Sequence, residues 1–399
     1  MHNVIKMSQD LYYIGASDRR LALFENIYPL NNGVSYNSYL IMDEKTVLFD
    51  TVDYSVSRAF MENLSFVLGE RPLDLIVVSH MEPDHCTSLG LVLQKYPNAL
   101  IYGTMQVRNM ILQFHGMDIS ERFRAVKDGD TLTSGKHIFR FATAPMVHWP
   151  EVMVTYDETD RILFSADAFG IFGALSGNLY ADESCLWTEE LFEARRYYSN
   201  IVGRYGANVQ ALLKKAAALD IGMICPLHGP VIRKDPGYYI DLYDKWSRYE
   251  PEDNSVVIFF GSIYGGTENA ADILASKLAE AGVQRIRMYD VSKTHYSYLV
   301  AEAFRCFGLV FAAPTKDAAL FPPMELLLTE LKHKGLSDRT VALIENGTWG
   351  PLSGKLMAAY FEGMKNINLL AERVTLKSRL TENDLEALDS LAKALAKQL

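Results

Sequence analysis

The sequence predicts an α/β protein in two domains, one rich in strands and one built on a doubly wound parallel sheet. At 399 residues the chain exceeds the usual size of a single core, which favours two or three domains. The hydrophobic fraction of 49% is typical of a packed globular protein and not of a disordered chain. Because the pattern of predicted strands and helices changes near residue 250, we expect one domain over residues 1–250 and a second over 251–399.

In the first domain, apolar runs bounded by turn residues predict eight strands. They cover residues 35–42, 46–53, 73–79, 99–104, 137–145, 152–157, 161–167 and 221–227. Helical periodicity adds a helix at 55–69, a helical stretch over 188–219 and a helix at 237–249. The polar segment 250–255 follows neither periodicity and contains Pro251, so we expect it to link the domains.

From Ser255 onward, strands and helices alternate regularly. The strands are predicted at 256–262, 285–291, 308–314 and 340–346, with a short edge strand at 372–378. The helices are predicted at 267–282, 296–304, 322–335 and 353–366, with a last helix that begins at Thr381. Five strands that alternate with five helices imply a doubly wound parallel sheet.

Charge and cysteine usage argue against several classes of protein. The net charge of −10 disfavours a nucleic-acid surface, which needs clustered Lys and Arg. No segment reaches the roughly 18 uninterrupted apolar residues of a membrane span, and the first residues lack the order of a signal peptide. We therefore expect a cytoplasmic protein with neither nucleic-acid nor membrane partners.

The cysteines stand far apart and form no CxxC pair, which excludes a zinc ribbon or an attached rubredoxin-type iron module. Their spacing instead indicates free thiols in a reducing compartment. They are Cys86, Cys185, Cys225 and Cys306.

Metal-capable side chains directly follow several predicted strands, at the ends where side chains from different strands can converge. They are His80, Glu82, Asp84, His85, His148, Asp167 and His228. A single zinc ion needs three or four ligands, so this set suits two metal ions that share one bridging carboxylate. Because the set is rich in carboxylate and imidazole, iron or manganese is favoured over zinc, and the Glu and His pairs favour iron.

A structural interpretation of these residues competes with the metal site. A lone histidine at a strand end, such as His148 or His228, more often satisfies a structural role than it binds a metal. The cluster at residues 80–85 favours the metal site, because an accidental surface turn seldom contains H-x-E-x-D-H.

A glycine-rich turn at residues 261–267 connects the first strand of the second domain to its first helix. Its backbone amides and hydroxyls could hold a phosphate, although a helix cap is the alternative and G-x-G-x-x-G is absent. In flavodoxin-like proteins this turn binds FMN, and two later strand-end loops agree with that interpretation. Trp349 offers a flat face for the flavin ring, or it could be a hydrophobic plug. The residues predicted to bind FMN are Ser262, Ile263, Tyr264, Gly265, Gly266, Thr267, Pro314, Thr315, Lys316, Asp317, Asn346, Gly347, Thr348 and Trp349.

The H-x-E-x-D-H motif, followed by His148, Asp167 and His228, resembles that of the flavodiiron proteins, also called A-type flavoproteins. This resemblance implies an N-terminal metallo-β-lactamase-like αββα domain followed by a flavodoxin-like, five-stranded parallel sheet. It also implies a division of the ligands. One iron would bind His80, Glu82 and His148, the other would bind Asp84, His85 and His228, and Asp167 would bridge them.

The resemblance further implies four-electron reduction of O2 to water, two-electron reduction of NO to N2O, or both, with electrons from FMN. The electron donor would be rubredoxin, a reduced deazaflavin or a reductase, and the assembly a head-to-tail homodimer or a dimer of dimers. The segment around Tyr197 and Tyr198 resembles one that places a tyrosine beside the metals. Two alternatives stay open, a metal-dependent hydrolase of the same fold and an electron carrier with a structural metal.

Overall fold

The computed structural model describes residues 2–184 and 191–399, which divide into two compact units. Unit 1 contains the described residues up to Tyr198 together with Ala207–Asp244, and unit 2 contains Ser199–Gly206 together with Lys245–Leu399. The domain boundary after residue 250 stays a prediction. Within these ranges, no helix has both the length and the apolar character needed to cross a membrane.

Unit 1 is built from short strands. They are β1 (Ile5–Lys6), β2 (Leu11–Tyr13), β3 (Ala16–Asp18), β4 (Leu23–Phe24), β5 (Tyr28–Pro29), β6 (Val34–Tyr36), β7 (Tyr39–Met42), β8 (Thr46–Phe49), β9 (Leu75–Val77), β10 (Leu100–Gly103), β11 (Phe123–Ala125), β12 (Thr131–Thr133), β13 (Ile138–Thr143), β14 (Met153–Asp157), β15 (Ile162–Phe164) and β16 (Met223–Cys225). The helices in this part of the chain are α1 (Ser57–Leu68), α2 (Pro83–Cys86), α3 (Leu89–Lys95), α4 (Met105–His115), α5 (Leu191–Tyr197), α6 (Gly206–Ala216) and α7 (Pro236–Ser247).

Two sheets form the centre of unit 1. The first has seven strands in the order β1-β2-β7-β8-β9-β10-β11, and the second has five in the order β12-β13-β14-β15-β16. Their inner faces share one hydrophobic core, in which the rings of Phe49 and Phe164 stack with centroids 3.9 Å apart. Parallel pairing of β8, β9, β10 and β11 requires crossover connections, and α1, α3 and α4 occupy them. This sandwich confirms the predicted fold of the first domain.

Unit 2 alternates strands and helices. Its strands are β17 (Asp253–Phe260), β18 (Ile286–Asp290), β19 (Cys306–Lys316), β20 (Ala319–Leu320), β21 (Arg339–Asn346) and β22 (Ile367–Leu376). Its helices are α8 (Gly266–Glu280), α9 (Tyr296–Arg305), α10 (Pro322–Lys334), α11 (Ser353–Phe361) and α12 (Glu382–Ala396). Five parallel strands pair in the order β18-β17-β19-β21-β22, and β20 adds a short antiparallel pair to β19. The doubly wound sheet was therefore predicted correctly.

Several predicted elements differ in extent. The edge strand β22 begins earlier than predicted. Its first residues were not recognised because most of them face solvent and carry no apolar alternation. The observed linker is shorter than the predicted one, because β17 already begins at Asp253 and Ser255 is fully buried. The long helical stretch divides into α5, a π-helical turn at Tyr198–Val202, a 3-10 turn at Gly203–Tyr205 and α6. Residues 188–190 of that prediction, and Cys185, lie outside the described residues, whereas the other three cysteines are free and buried.

Candidate metal centre

The predicted metal ligands of unit 1 lie in the segments that follow four strands. His80 follows β9, and α2 begins at Pro83 and presents Asp84 and His85 directly afterwards. His148 lies between β13 and β14, while Asp167 and His228 follow β15 and β16. Since β9 belongs to one sheet and the other strands to the second, the ligands come from both layers of the sandwich.

The first ligand group consists of His80, Glu82, His148 and Asp167, all of which are buried. Nε2 of His148 lies 3.0 Å from Oε2 of Glu82 and 3.0 Å from Oδ2 of Asp167. Nε2 of His80 lies 3.4 Å and 3.5 Å from the same two oxygens. Four potential ligand atoms therefore surround one point.

The second ligand group consists of Asp84, His85 and His228. Nε2 of His228 lies 3.2 Å from Oδ2 of Asp84 and 3.0 Å from Nε2 of His85. Oδ1 of Asp167 lies 3.1 Å from Nε2 of His85, while Oδ2 of Asp167 faces the first group. The two oxygens of one carboxylate thus point to different ligand groups, which is the geometry of a bridging ligand.

The missing hydrogen-bond partners of several ligand atoms fit a metal centre. Among the described residues, Nε2 of His80, Oε2 of Glu82, both oxygens of Asp84 and Oδ1 of Asp167 are buried without a hydrogen-bond partner. Burial of polar atoms without a hydrogen-bond partner destabilises a fold, so a cluster of such atoms indicates a site for a ligand that they share. A metal ion about 2.1 Å from each atom would leave neighbouring ligand atoms about 3 Å apart, close to the spacing found here.

The electrostatics of the cluster favour positive charge. Burial alone would lower the pKa of His80, yet Asp167 and Glu151 raise it well above its ordinary value. Burial would also lower the pKa of His148, but its hydrogen bonds with Asp167 and Glu82 raise this pKa to about 9. Burial would raise the pKa of Asp167, but the imidazoles of His85 and His80 hold it well below its usual range. The carboxylates therefore create a negative potential that suits bound cations.

In unit 2, the three loops predicted to bind FMN follow β17, β19 and β21, at the same end of the sheet. Gly265, with a φ of +85°, is the N-cap of α8, and a Cβ at Gly266 would lie 2.4 Å from the carbonyl oxygen of Ser378. Asn346 donates hydrogen bonds to Thr267 and to the Ser378 carbonyl, at 3.3 Å and 3.1 Å. The turn needs glycine at both positions, and Ser378 brings a fourth loop to this edge.

Two large aromatic side chains project from this edge, since Tyr264 is 98% exposed and Trp349 is 95% exposed. The ring of Trp349 is therefore not packed into the core of unit 2, and its role stays a prediction. The hydroxyl oxygen of Thr315 accepts hydrogen bonds from the backbone of Leu352 and Ser353, and Lys316 contacts Asp317. The flavin contacts of Thr315, Lys316 and the other residues of these loops stay predictions.

Comparisons with known proteins agree with this architecture. A family profile described as "ODP family beta lactamase" matches residues 34–229. The rubredoxin oxygen:oxidoreductase of Desulfovibrio gigas superposes with a TM-score of 0.92 at 26% identity, covering 99% of this chain and 98% of that one. The flavodiiron protein of Giardia intestinalis superposes with a TM-score of 0.91 at 25% identity, covering 100% and 97%.

A curated relative decides the family. The anaerobic nitric oxide reductase flavorubredoxin of Vibrio vulnificus is 33% identical in an alignment 357 residues long, which covers 86% of this chain and 70% of that protein. This chain belongs to the flavodiiron protein family. The resemblance drawn from the H-x-E-x-D-H motif is thereby confirmed.

This flavodiiron protein also contains residues around the candidate centre that the sequence did not reveal. Nδ1 of His80 pairs with Oε1 of Glu151 at 2.7 Å, and Nδ1 of His228 pairs with the carbonyl oxygen of Ser35 at 2.8 Å. Asp50 accepts hydrogen bonds from the backbone N–H groups of Ser79 and His80 at 2.7 Å and 3.3 Å. Glu151 and the Ser35 carbonyl are thus placed to orient imidazoles of the ligand groups, while Asp50 holds the backbone at His80.

A sequence signal existed for one of these partners. Asp50 directly follows β8 and therefore satisfies the same strand-end rule that identified Asp167. Glu151 and the carbonyl of Ser35 offered no comparable pattern, because their roles depend on contacts distant in sequence.

Of the two tyrosines in the predicted family segment, Tyr197 lies beside the candidate centre. It is fully buried, and its ring centroid lies 5.6 Å from that of His228. The ring of Tyr198 instead packs edge to face with Tyr243, at 4.9 Å. Trp149 flanks the other side, with its ring centroid 5.4 Å from that of His80.

Proposed function

We propose that this flavodiiron protein reduces O2 to water with four electrons, two NO molecules to N2O and water with two electrons, or both. The observation that carries the proposal is the position of Asp167, whose two oxygens face the two ligand groups. Two metal ions held side by side suit a substrate of two atoms. The names of the relatives divide between the gases, since the Vibrio protein is a nitric oxide reductase and the Desulfovibrio protein an oxygen oxidoreductase.

In this proposal each ligand group would hold one iron, Asp167 would serve as a ligand between the two groups, and the loops after β17, β19 and β21 would hold FMN. When bound, FMN would supply the electrons, and the iron ions held by the two ligand groups would supply the redox chemistry of the reduction. The unpaired buried atoms of the ligand groups support the first assignment. The glycine turn at Gly265 and the exposed ring of Trp349 support the second.

The chain's own residues orient and shield the centre. Glu151 holds the ring of His80 through Nδ1, so that Nε2 faces the first ligand group. The carbonyl of Ser35 does the same for His228 in the second group. Because these imidazoles are fully buried, bulk water is kept from the ligand atoms and their charges interact strongly.

We further propose a head-to-tail homodimer, alone or paired into a dimer of dimers, in which the flavin of one protomer serves the irons of the other. The family resemblance supports this arrangement, as does the placement of the two sites in different units. Co-expression of His148→Ala protomers with protomers carrying Asn346→Ala and Trp349→Ala tests it. Activity above that of either parent would support the exchange, and the absence of recovery would contradict it.

The proposed electron donor is rubredoxin, a reduced deazaflavin or a reductase, and the proposed location is the cytoplasm. Support for a rubredoxin-type donor comes from the name of the Desulfovibrio relative. Support for a reducing compartment comes from the free, buried thiols of Cys86, Cys225 and Cys306.

The product of oxygen consumption tests the function. A reduced flavin alone transfers two electrons to O2 and releases H2O2, whereas a di-iron centre completes the reduction to water. Glu82→Ala should therefore divert the remaining O2 consumption toward peroxide and abolish N2O formation from NO. Equal peroxide yields from wild type and variant, with no N2O from either, would overturn the proposal. A colourless zinc protein that hydrolyses esters would revive the hydrolase alternative.

A further inference from the structure

Unit 1 contains an apolar cavity of about 30 Å³ on the outer face of its second sheet. Its inner wall is formed by Ala142 of β13, Val154 of β14 and Leu163 of β15. Its outer wall is formed by α6, through Leu212 and Ala216 among others. These strand residues alternate with the ones that point into the core between the sheets, so the cavity is separate from that core.

The cavity reaches the underside of the turn that carries Asp167. Ser165, Ala168 and Phe169 line the cavity and lie on both sides of Asp167 in the sequence. Two hydrogen bonds close this turn, from Ser165 Oγ to the Ala168 carbonyl at 2.7 Å and from the Ala168 N–H to the Ser165 carbonyl at 3.1 Å. Only one turn of backbone therefore stands between the cavity and the bridging carboxylate.

The other end of the cavity approaches the surface. Ala216 and Leu219 are half-buried, and Lys215 is exposed. Nζ of Lys215 is held by Oδ1 of Asp128 at 2.6 Å and by the carbonyl oxygen of Thr143 at 2.7 Å, so its alkyl chain covers this end. At this end, therefore, the cavity is covered by the alkyl chain of one surface lysine and not by a layer of core side chains.

Size and polarity define what the cavity can hold. A water molecule requires roughly 10–15 Å³ of such space and two to four polar partners. The cavity has the space, but its walls are apolar, and the hydroxyl of Ser165 already donates to the Ala168 carbonyl. Cavities of this kind stay free of water and bind small apolar molecules such as xenon.

We propose that this cavity holds one molecule of diatomic gas and delivers it to the metal centre past the Ser165–Phe169 turn. The inference rests on the proposed reduction of O2 or NO, both of which are apolar and small enough for the space. It assigns a function to the outer face of the second sheet, which the metal centre itself does not use.

Xenon provides a probe that needs no turnover. In crystals pressurised with xenon, we expect one xenon atom between β15 and α6, visible by anomalous scattering. Ala216→Leu should fill the cavity from the helix and abolish that peak. Ala211→Leu is the matched control, because Ala211 lies on the exposed side of the same helix. Ala142→Val fills the cavity from the opposite wall and replaces Ala216→Leu if that variant does not fold.

Kinetics test whether the cavity supplies the substrate. Ala216→Leu should raise KM for the gas at least about threefold at unchanged iron content, while the rate at saturating gas falls less than about twofold. Absence of xenon from the wild-type cavity would overturn the proposal. It would also be overturned if Ala216→Leu lost the xenon site but had the same KM for the gas as Ala211→Leu. A wild-type protein that binds xenon here but reduces neither gas would contradict the proposed function and not the binding site.

Discussion

Nδ1 of His80 and Oε1 of Glu151 form a 2.7 Å hydrogen bond between two side chains that are both fully buried. The bond leaves Nε2 of His80 facing Glu82 and Asp167. Orientation of the imidazole is thus set by a residue that touches none of the proposed iron positions.

We therefore predict that Glu151→Gln weakens iron binding about 10- to 100-fold, as is typical when the partner of a ligating histidine is changed. The amide keeps the volume of the carboxyl group but removes its charge. Iron retention during dialysis against a graded chelator series measures the effect. Glu158→Gln, at an exposed position, is the control and should match wild type. Equal retention by Glu151→Gln and wild type would refute the positioning role.

Asp167→Ala should release iron from both ligand groups, because its oxygens face both. We expect an iron affinity at least about tenfold lower and an unchanged flavin content. Metal analysis and flavin absorbance on the same sample measure the two quantities. Asp220→Ala, on the surface of the same unit, should retain full iron. Loss of only one iron would show that the carboxylate does not bridge.

Trp349→Ala should weaken FMN binding at least about fivefold, since an aromatic stacking contact contributes roughly 1 kcal/mol beyond area burial. Fluorescence titration of the flavin-free protein with FMN gives the dissociation constant. Tyr54→Ala removes an exposed aromatic of unit 1 and should leave that constant unchanged. An unaltered affinity in Trp349→Ala would exclude stacking of this ring on the flavin.

A second buried histidine predicts a pH dependence of stability. His137 lies between Asp157 and Asp10, with Nδ1 2.7 Å and Nε2 3.1 Å from their carboxylate oxygens, and Lys136 lies 3.0 Å from Asp10. Burial lowers the pKa of His137, but the two carboxylates outweigh it and raise the value to about 9. Because the folded pKa exceeds the unfolded one of about 6.5, the stabilisation is complete below pH 6.5 and is lost as pH rises through 9.

His137→Gln should therefore lower the free energy of unfolding most near pH 6, by at most about 3 kcal/mol, and least near pH 10. Urea unfolding of iron-free wild type and variant at pH 6, 8 and 10 gives this difference. His333→Gln, at an exposed position, is the control. A difference that stays constant with pH would show that His137 is neutral in the folded protein.

Side chains at strand ends could be located from sequence, whereas their partners could not. The ligands share one local signature, a metal-capable residue after an apolar run, and the sheet topology brings such positions together. Glu151 and Ser378 have no such signature, because their roles depend on which loops approach each other. The first half of β22 was missed for a related reason, since an exposed edge strand needs no apolar alternation.

The origin of the ligands in both sheets of unit 1 has a consequence for how the protein matures. The centre cannot exist until the two layers have packed and the ribosome has passed His228, so iron insertion is a late step that reports completed folding. Once inserted, the ions would act as a cross-link between the layers and stabilise the folded unit. Without iron this cross-link is absent, so the packing of the two layers should be less stable in the iron-free protein.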